Sequence, residues 1–183
     1  NVARLNSRRI AAVAIFASLY AALRLIPVSP LIGLRSSLTM GEIFSPLAGM
    51  ILGPLAGGLS VLVGTFLTVA MGRPLVFDGL DFIPGVIAAV TAGLAIQGRI
   101  FWSVGLSVLL ITAFSVDPLS ATTVQVGQLM VPFLWMHMLA VLTALIVAWR
   151  VGTRNSAISN PVFIATIVFI STMNAHVSGS IMF

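Results

Sequence analysis

The residues of this chain able to do chemistry are few, and they collect at the ends of apolar runs. Two His, four acids and nine basic residues, every one of the nine an Arg, form the charged set. Cys is absent, which excludes disulfides, thiolate metal sites and Cys nucleophiles. No HExxH or GxSxG motif and no paired intramembrane Asp is present, so no catalytic residue, metal centre or cofactor is expected and the chain reads as a non-enzyme. What its polar groups can do is bind. Arg35, Glu42, Asp78, Asp81, Gln125 and Gln128 offer a mixture of charge and amide that suits a ligand with amide and anionic groups. Arg would supply a two-pronged fork for carboxylate or phosphate. Trp135 can stack on a flat heterocycle, and His137 can hydrogen-bond to it. Against these stand plainer readings: solvated loop charges, Arg73 paired with Asp78 or Asp81 across a turn, and a core aromatic beside a satisfied helix histidine. Asn174 and His176 are polar at membrane depth too, and they reach His137's neighbourhood if their segment packs there.

The elements that must position these groups follow from composition. Hydrophobic residues make up 59% of the 183 positions and charged ones 7%, where a soluble domain carries about 25% charged residues. This is the composition of an integral membrane protein, all-α, a polytopic helical bundle in one transmembrane domain over 1–183. Its net charge of +5 marks loop ends rather than a nucleic-acid surface, so lipid is the expected surrounding and no nucleic acid the expected partner. The start of the chain is basic but leads into Arg24 and Pro27 without a small-residue cleavage site, so no cleavable signal peptide is expected. Apolar runs cover Ile10 to Ile26, Ile43 to Met71, Phe82 to Gln97, Ile100 to Val116, Leu129 to Trp149 and Pro161 to Phe183, with a polar loop from Asp117 to Gln128.

The run from Ile43 to Met71 decides the topology. Broken at Gly53-Pro54 into two helices, with a cytoplasmic N-terminus, it leaves Arg4, Arg8, Arg9, Arg99, Arg150 and Arg154 inside and Arg24, Arg35 and Arg73 outside. Unbroken, it puts four Arg inside and five outside, against the positive-inside bias. The broken form is therefore expected, although Ile43 to Leu52 would rise only about 15 Å unless the helix starts near Thr39. It yields six transmembrane helices, and Pro161 to Phe183 would be a seventh. Small residues recur at four-residue intervals as Ala14, Ser18 and Ala22, and again as Gly49, Gly53 and Gly57. Such rows are flat surfaces for close helix approach.

The Ala-rich first helix (IAAVAIFASLYAAL), the stretch LTMGEIFSPLAGMILGPLAGGLSVLVG and the later DFIPGVIAAVTAGL together resemble the S components of energy-coupling factor (ECF) transporters, a resemblance that covers roughly Arg8 to Trp149. It implies a substrate-capture subunit of a vitamin or micronutrient importer in the cell membrane. Such a subunit loads a small molecule from the outer side and docks to a T component and cytoplasmic ATPases that supply the energy. The chain has no GxxxxGK[ST] phosphate loop, and with no Lys it could have none. In the family an AxxxA-like row on the first helix meets the T component, and Ala14, Ser18 and Ala22 match it with Ser in the middle. The seventh segment departs from the six-helix plan, and no motif singles out one substrate. Two other classes stay open: an accessory or structural subunit of a larger membrane complex, and a haem-binding subunit with His137 and His176 as axial ligands.

Overall fold

The computed structural model describes residues 7–30, 37–75, 77–118, 123–126, 129–151 and 159–182. Among them the chain is all-α, with seven helices: α1 (Ser7–Arg24), α2 (Met40–Leu52), α3 (Pro54–Ala70), α4 (Ile83–Ile96), α5 (Ile100–Val116), α6 (Trp135–Val151) and α7 (Pro161–Ile181). Two antiparallel ribbons interrupt them. β1 (Pro27–Pro30) pairs with β2 (Ser37–Thr39) between α1 and α2, and β3 (Thr123–Val126) pairs with β4 (Leu129–Pro132) between α5 and α6.

The long apolar block breaks where its Gly-Pro step stands. Pro54 has no N–H to donate and suits the first position of a helix, while Gly53 takes φ +84, a conformation that side chains resist. The break is a full reversal. Gly49 and Gly57 would lie about 12 Å apart along one continuous helix, yet a Cβ built on Gly57 would sit 2.6 Å from the Gly49 Cα. α2 and α3 therefore form a tight antiparallel hairpin, with glycine rather than side chain at its seam. α2 starts at Met40 and reaches 13 residues, about 20 Å.

α4 sits in the middle of the bundle, packed against α2, α3, α5 and α7. α1 lies on α3 and α2, while α6 touches α5 and α7. The seventh helix is thus an integral part of the core, where Phe163, Ile167 and Ile170 join Ala92, Ala95, Ile100, Ala140 and Ala144 in one buried cluster. Polar links reinforce this junction. The Ser103 hydroxyl of α5 donates to the Thr91 carbonyl at 2.8 Å, and Asn174 Nδ2 of α7 donates to Thr91 Oγ1 at 3.2 Å. Asn174 is therefore engaged with α4, away from the histidines.

Two boundaries differ from the sequence expectation. Leu129 to Pro132 is strand, not the start of the sixth helix, because β-branched Thr123, Val124 and Val126 offer a pairing partner and Pro132 fits a strand end. The sixth helix consequently begins at Trp135, which puts His137 in its first turn. The loop after α1 also pairs into a ribbon. By length and composition one described helix, α7, suffices to cross a membrane, with five shorter apolar helices beside it.

Candidate functional site

Both ribbons, the C-terminal ends of α1, α3, α5 and α7 and the N-terminal ends of α2, α4 and α6 share one end of the bundle. This end gathers the polar groups. On α1 the positions Ala17, Tyr20, Ala21 and Arg24, spaced three and four apart, form the buried face. That periodicity carries Arg24 into the interior at the helix end, where its side chain is 7% exposed. Its Nη2 approaches Asp81, donating to the carbonyl at 3.3 Å and lying 3.6 Å from Oδ1 of the carboxylate. Asp81 in turn accepts the Phe77 N–H through Oδ2 at 3.1 Å, which closes the loop before α4 around the carboxylate.

Arg73, in the connection between α3 and α4, donates to the Arg24 carbonyl through Nη1. Burial, and then the adjacent Arg24 charge, push its guanidinium below the usual Arg range. Glu42 in the first turn of α2 lies within electrostatic reach of both arginines. Tyr20 is fully buried below them, its hydroxyl directed toward Ser45 and Thr65. Two arginines and two carboxylates thus share a small region between α1, α2 and the 71–82 connection.

A second cluster stands between α6 and α7. His137 Nε2 and His176 Nδ1 are 3.2 Å apart, a hydrogen bond in which one ring donates and the other accepts. Their rings stack at 5.3 Å, and Phe133 stacks on both at 5.4 Å. Phe114 from α5 continues the stack at 4.7 Å. Two imidazoles in direct contact leave no room for a macrocycle between them, so this arrangement is not an axial haem pair.

The expected binding residues separate accordingly. Glu42 and Asp81 lie in the ionic cluster and His137 in the aromatic one. Asp81 pairs with Arg24, while Arg73 reaches the Arg24 carbonyl. Asp78 is exposed with φ +47, a turn-tip residue. Trp135 is half-exposed at the start of α6. Gln125 lies on β3 opposite Met130, while Arg35 and Gln128 lie outside the described residues. Arg24 and Arg73, read from the sequence as loop charges, are in fact the cations of the cluster. The signal for Arg24 was present in its spacing from Ala17, Tyr20 and Ala21, whereas its pairing with Asp81, 57 residues away, had no local signature. On the opposite face of α1, Ala14, Ser18 and Ala22 are exposed, so this row is not spent on packing within the chain. No family model, curated protein or solved structure matches this chain.

Proposed function

We propose that the chain is a polytopic membrane protein that captures a small polar solute, the substrate-binding subunit of an ECF-type importer. One observation carries the reading: the polarity of the bundle is inverted. Large apolar residues face outward on many helices, among them Leu55 at 86% and Trp149 at 80% exposure, while Ser45, Ser60, Thr65, Thr68, Thr91, Ser103 and Asn174 are buried. An exterior of this kind would aggregate in water and suits lipid. The three Trp support it further, because Trp102, Trp135 and Trp149 are exposed and stand near helix ends, where interfacial aromatic belts form. Helices of 17 residues, such as α5 and α6, rise about 25 Å and come close to the hydrocarbon thickness.

Buried charge is costly in such a setting and marks function. The cluster of Arg24, Arg73, Glu42 and Asp81 is the natural candidate for the solute site, with the ribbon end facing outside and the N-terminus in the cytoplasm. The exposed row Ala14, Ser18 and Ala22 gives a T component a flat face to dock on, and energy would come from that partner's ATPases. The seventh helix sets this protein apart from the six-helix plan of the S components it resembles.

The test is co-expression with a T component and its ATPases, followed by native mass spectrometry of the purified material. The expected result is a stoichiometric complex that Ala14→Leu with Ala22→Leu abolishes while the variant stays folded, since added side chains hold the helix backbones apart. A complex with unrelated subunits and no small molecule would overturn the importer reading in favour of an accessory subunit.

A further inference from the structure

Charge is divided between the two ends of this bundle. All four acids of the chain, Glu42, Asp78, Asp81 and Asp117, belong to the ribbon end, where Arg24 and Arg73 also stand. The opposite end holds Arg8, Arg9, Arg99 and Arg150, all exposed, and no acid to pair with them. Two of these arginines meet at the seam of α5 and α6. α5 leaves this end and α6 returns to it, and Ile100, next to Arg99, shares a packed cluster with Val147, Ala148 and Val151 around Arg150. The outer surface of the seam is apolar. Trp102 in the first turn of α5 is 72% exposed and Trp149 in the last turn of α6 is 80% exposed. Leu109 of α5 and Leu142 and Ile146 of α6 continue this exposed surface toward the middle of the bundle. The Arg150 guanidinium lies over the Trp149 ring, 5.1 Å from its centroid, a contact that leaves the N–H groups at its edge free to meet an acceptor.

We propose that the seam of α5 and α6 binds an anionic phospholipid of the cytoplasmic leaflet, its phosphate held by Arg99 and Arg150 and its acyl chains laid along the apolar surface beside them. The inference rests on the membrane part of the reading above and adds a partner to it. Two properties of the seam name the ligand. Its cations have no acid of the same end to neutralise them, which calls for an anion. They also stand at the rim of an exposed apolar surface, which calls for an amphiphile. An acidic protein segment would answer the arginines and leave Leu109, Leu142 and Ile146 unused, whereas a phospholipid with a net negative head answers both.

Native mass spectrometry of the full chain in detergent, incubated with phosphatidylglycerol or with phosphatidylcholine of the same acyl chains, tests this. The expected result is retention of phosphatidylglycerol under conditions that strip phosphatidylcholine. Arg99→Gln with Arg150→Gln should remove that preference, at about fivefold for each arginine near an anionic head. Trp149→Leu, which keeps both charges, should weaken phosphatidylglycerol binding about two- to fivefold. Arg8→Gln with Arg9→Gln, on α1, which packs on α3 and α2, should leave the preference in place. All these side chains are exposed, so none of the variants opens the core. Equal retention of the two lipids, an unchanged preference in Arg99→Gln with Arg150→Gln, or its loss in the α1 variant would overturn the proposal. Displacement of phosphatidylglycerol by polyglutamate would overturn it in favour of an acidic protein partner. Equal retention of both lipids leaves the membrane bundle standing and removes the site alone. A chain that stays monodisperse without detergent and retains neither lipid would remove both.

Discussion

Removing the Asp81 carboxylate would leave the Arg24 guanidinium buried without its ion-pair partner, since the pair is almost completely enclosed. Breaking a buried pair from one side costs about 3–5 kcal/mol, whereas replacing both partners with apolar groups is often neutral. Asp81→Ala should therefore lower stability by about that amount, and Arg24→Leu with Asp81→Leu should recover most of it, read from denaturant unfolding of the purified protein. Asp78→Asn should stay within about 0.5 kcal/mol, because Asp78 is exposed and Asn tolerates its φ of +47. The same contrast explains how much of the site the sequence disclosed. Glu42, Asp81 and His137 stood out as polar residues in apolar surroundings. Arg24 did not, because a basic residue ending an apolar run looks like any topology signal until its face of the helix is counted. The contact between His137 and His176 depends on α7 packing beside α6, which no local pattern encodes.

Helices in this bundle approach one another where side chains are missing, and the glycines fall into two classes on that criterion. A Cβ on Gly57 would run into the α2 backbone, at 2.6 Å from the Gly49 Cα and 2.8 Å from the Ala48 carbonyl oxygen. A Cβ on Gly105, in α5, meets nothing within 4 Å. Gly57→Ala should thus force α2 and α3 apart and cost about 1–3 kcal/mol, the range for overpacking. Gly105→Ala should be neutral or stabilising by up to about 1 kcal/mol through helix propensity. Thermal unfolding of the two variants side by side measures the difference, and equal effects would show that the hairpin seam is looser than its geometry. The Gly-Pro break and most helix ends were legible because Pro and Gly act locally. The ribbon of β3 and β4 was not, since Leu129 to Pro132 continues the apolar run of α6 and only pairing across the turn makes it strand.

On the scale of the whole molecule, the alternation of the helices ties the loops to two opposite ends. The connection between α1 and α2, the 71–82 connection and the second ribbon share the end that holds the ionic cluster, as the Arg24 and Asp81 pair requires. The tight turn at Gly53 and the end of α4 share the other, since a Cβ on Gly93 would lie 2.5 Å from the Pro54 nitrogen. In the proposed membrane arrangement Arg8, Arg9, Arg99 and Arg150, the arginines described at the second end, face the cytoplasm. Because the chain has no Cys, single cysteines report sidedness without background. Ser7, Thr123 and Ser159 are all exposed positions. Ser7→Cys and Ser159→Cys should resist an impermeant thiol reagent applied to intact cells and react once the membrane is opened, while Thr123→Cys should react from outside at once. Between Ser7 and Thr123 lie five helices that alternate in direction, an odd number that places the two positions on opposite faces when each helix crosses. Labelling of Ser7→Cys and Thr123→Cys from the same face would therefore be incompatible with five alternating helices that each cross, and would overturn the arrangement in which the ionic cluster meets its solute from outside.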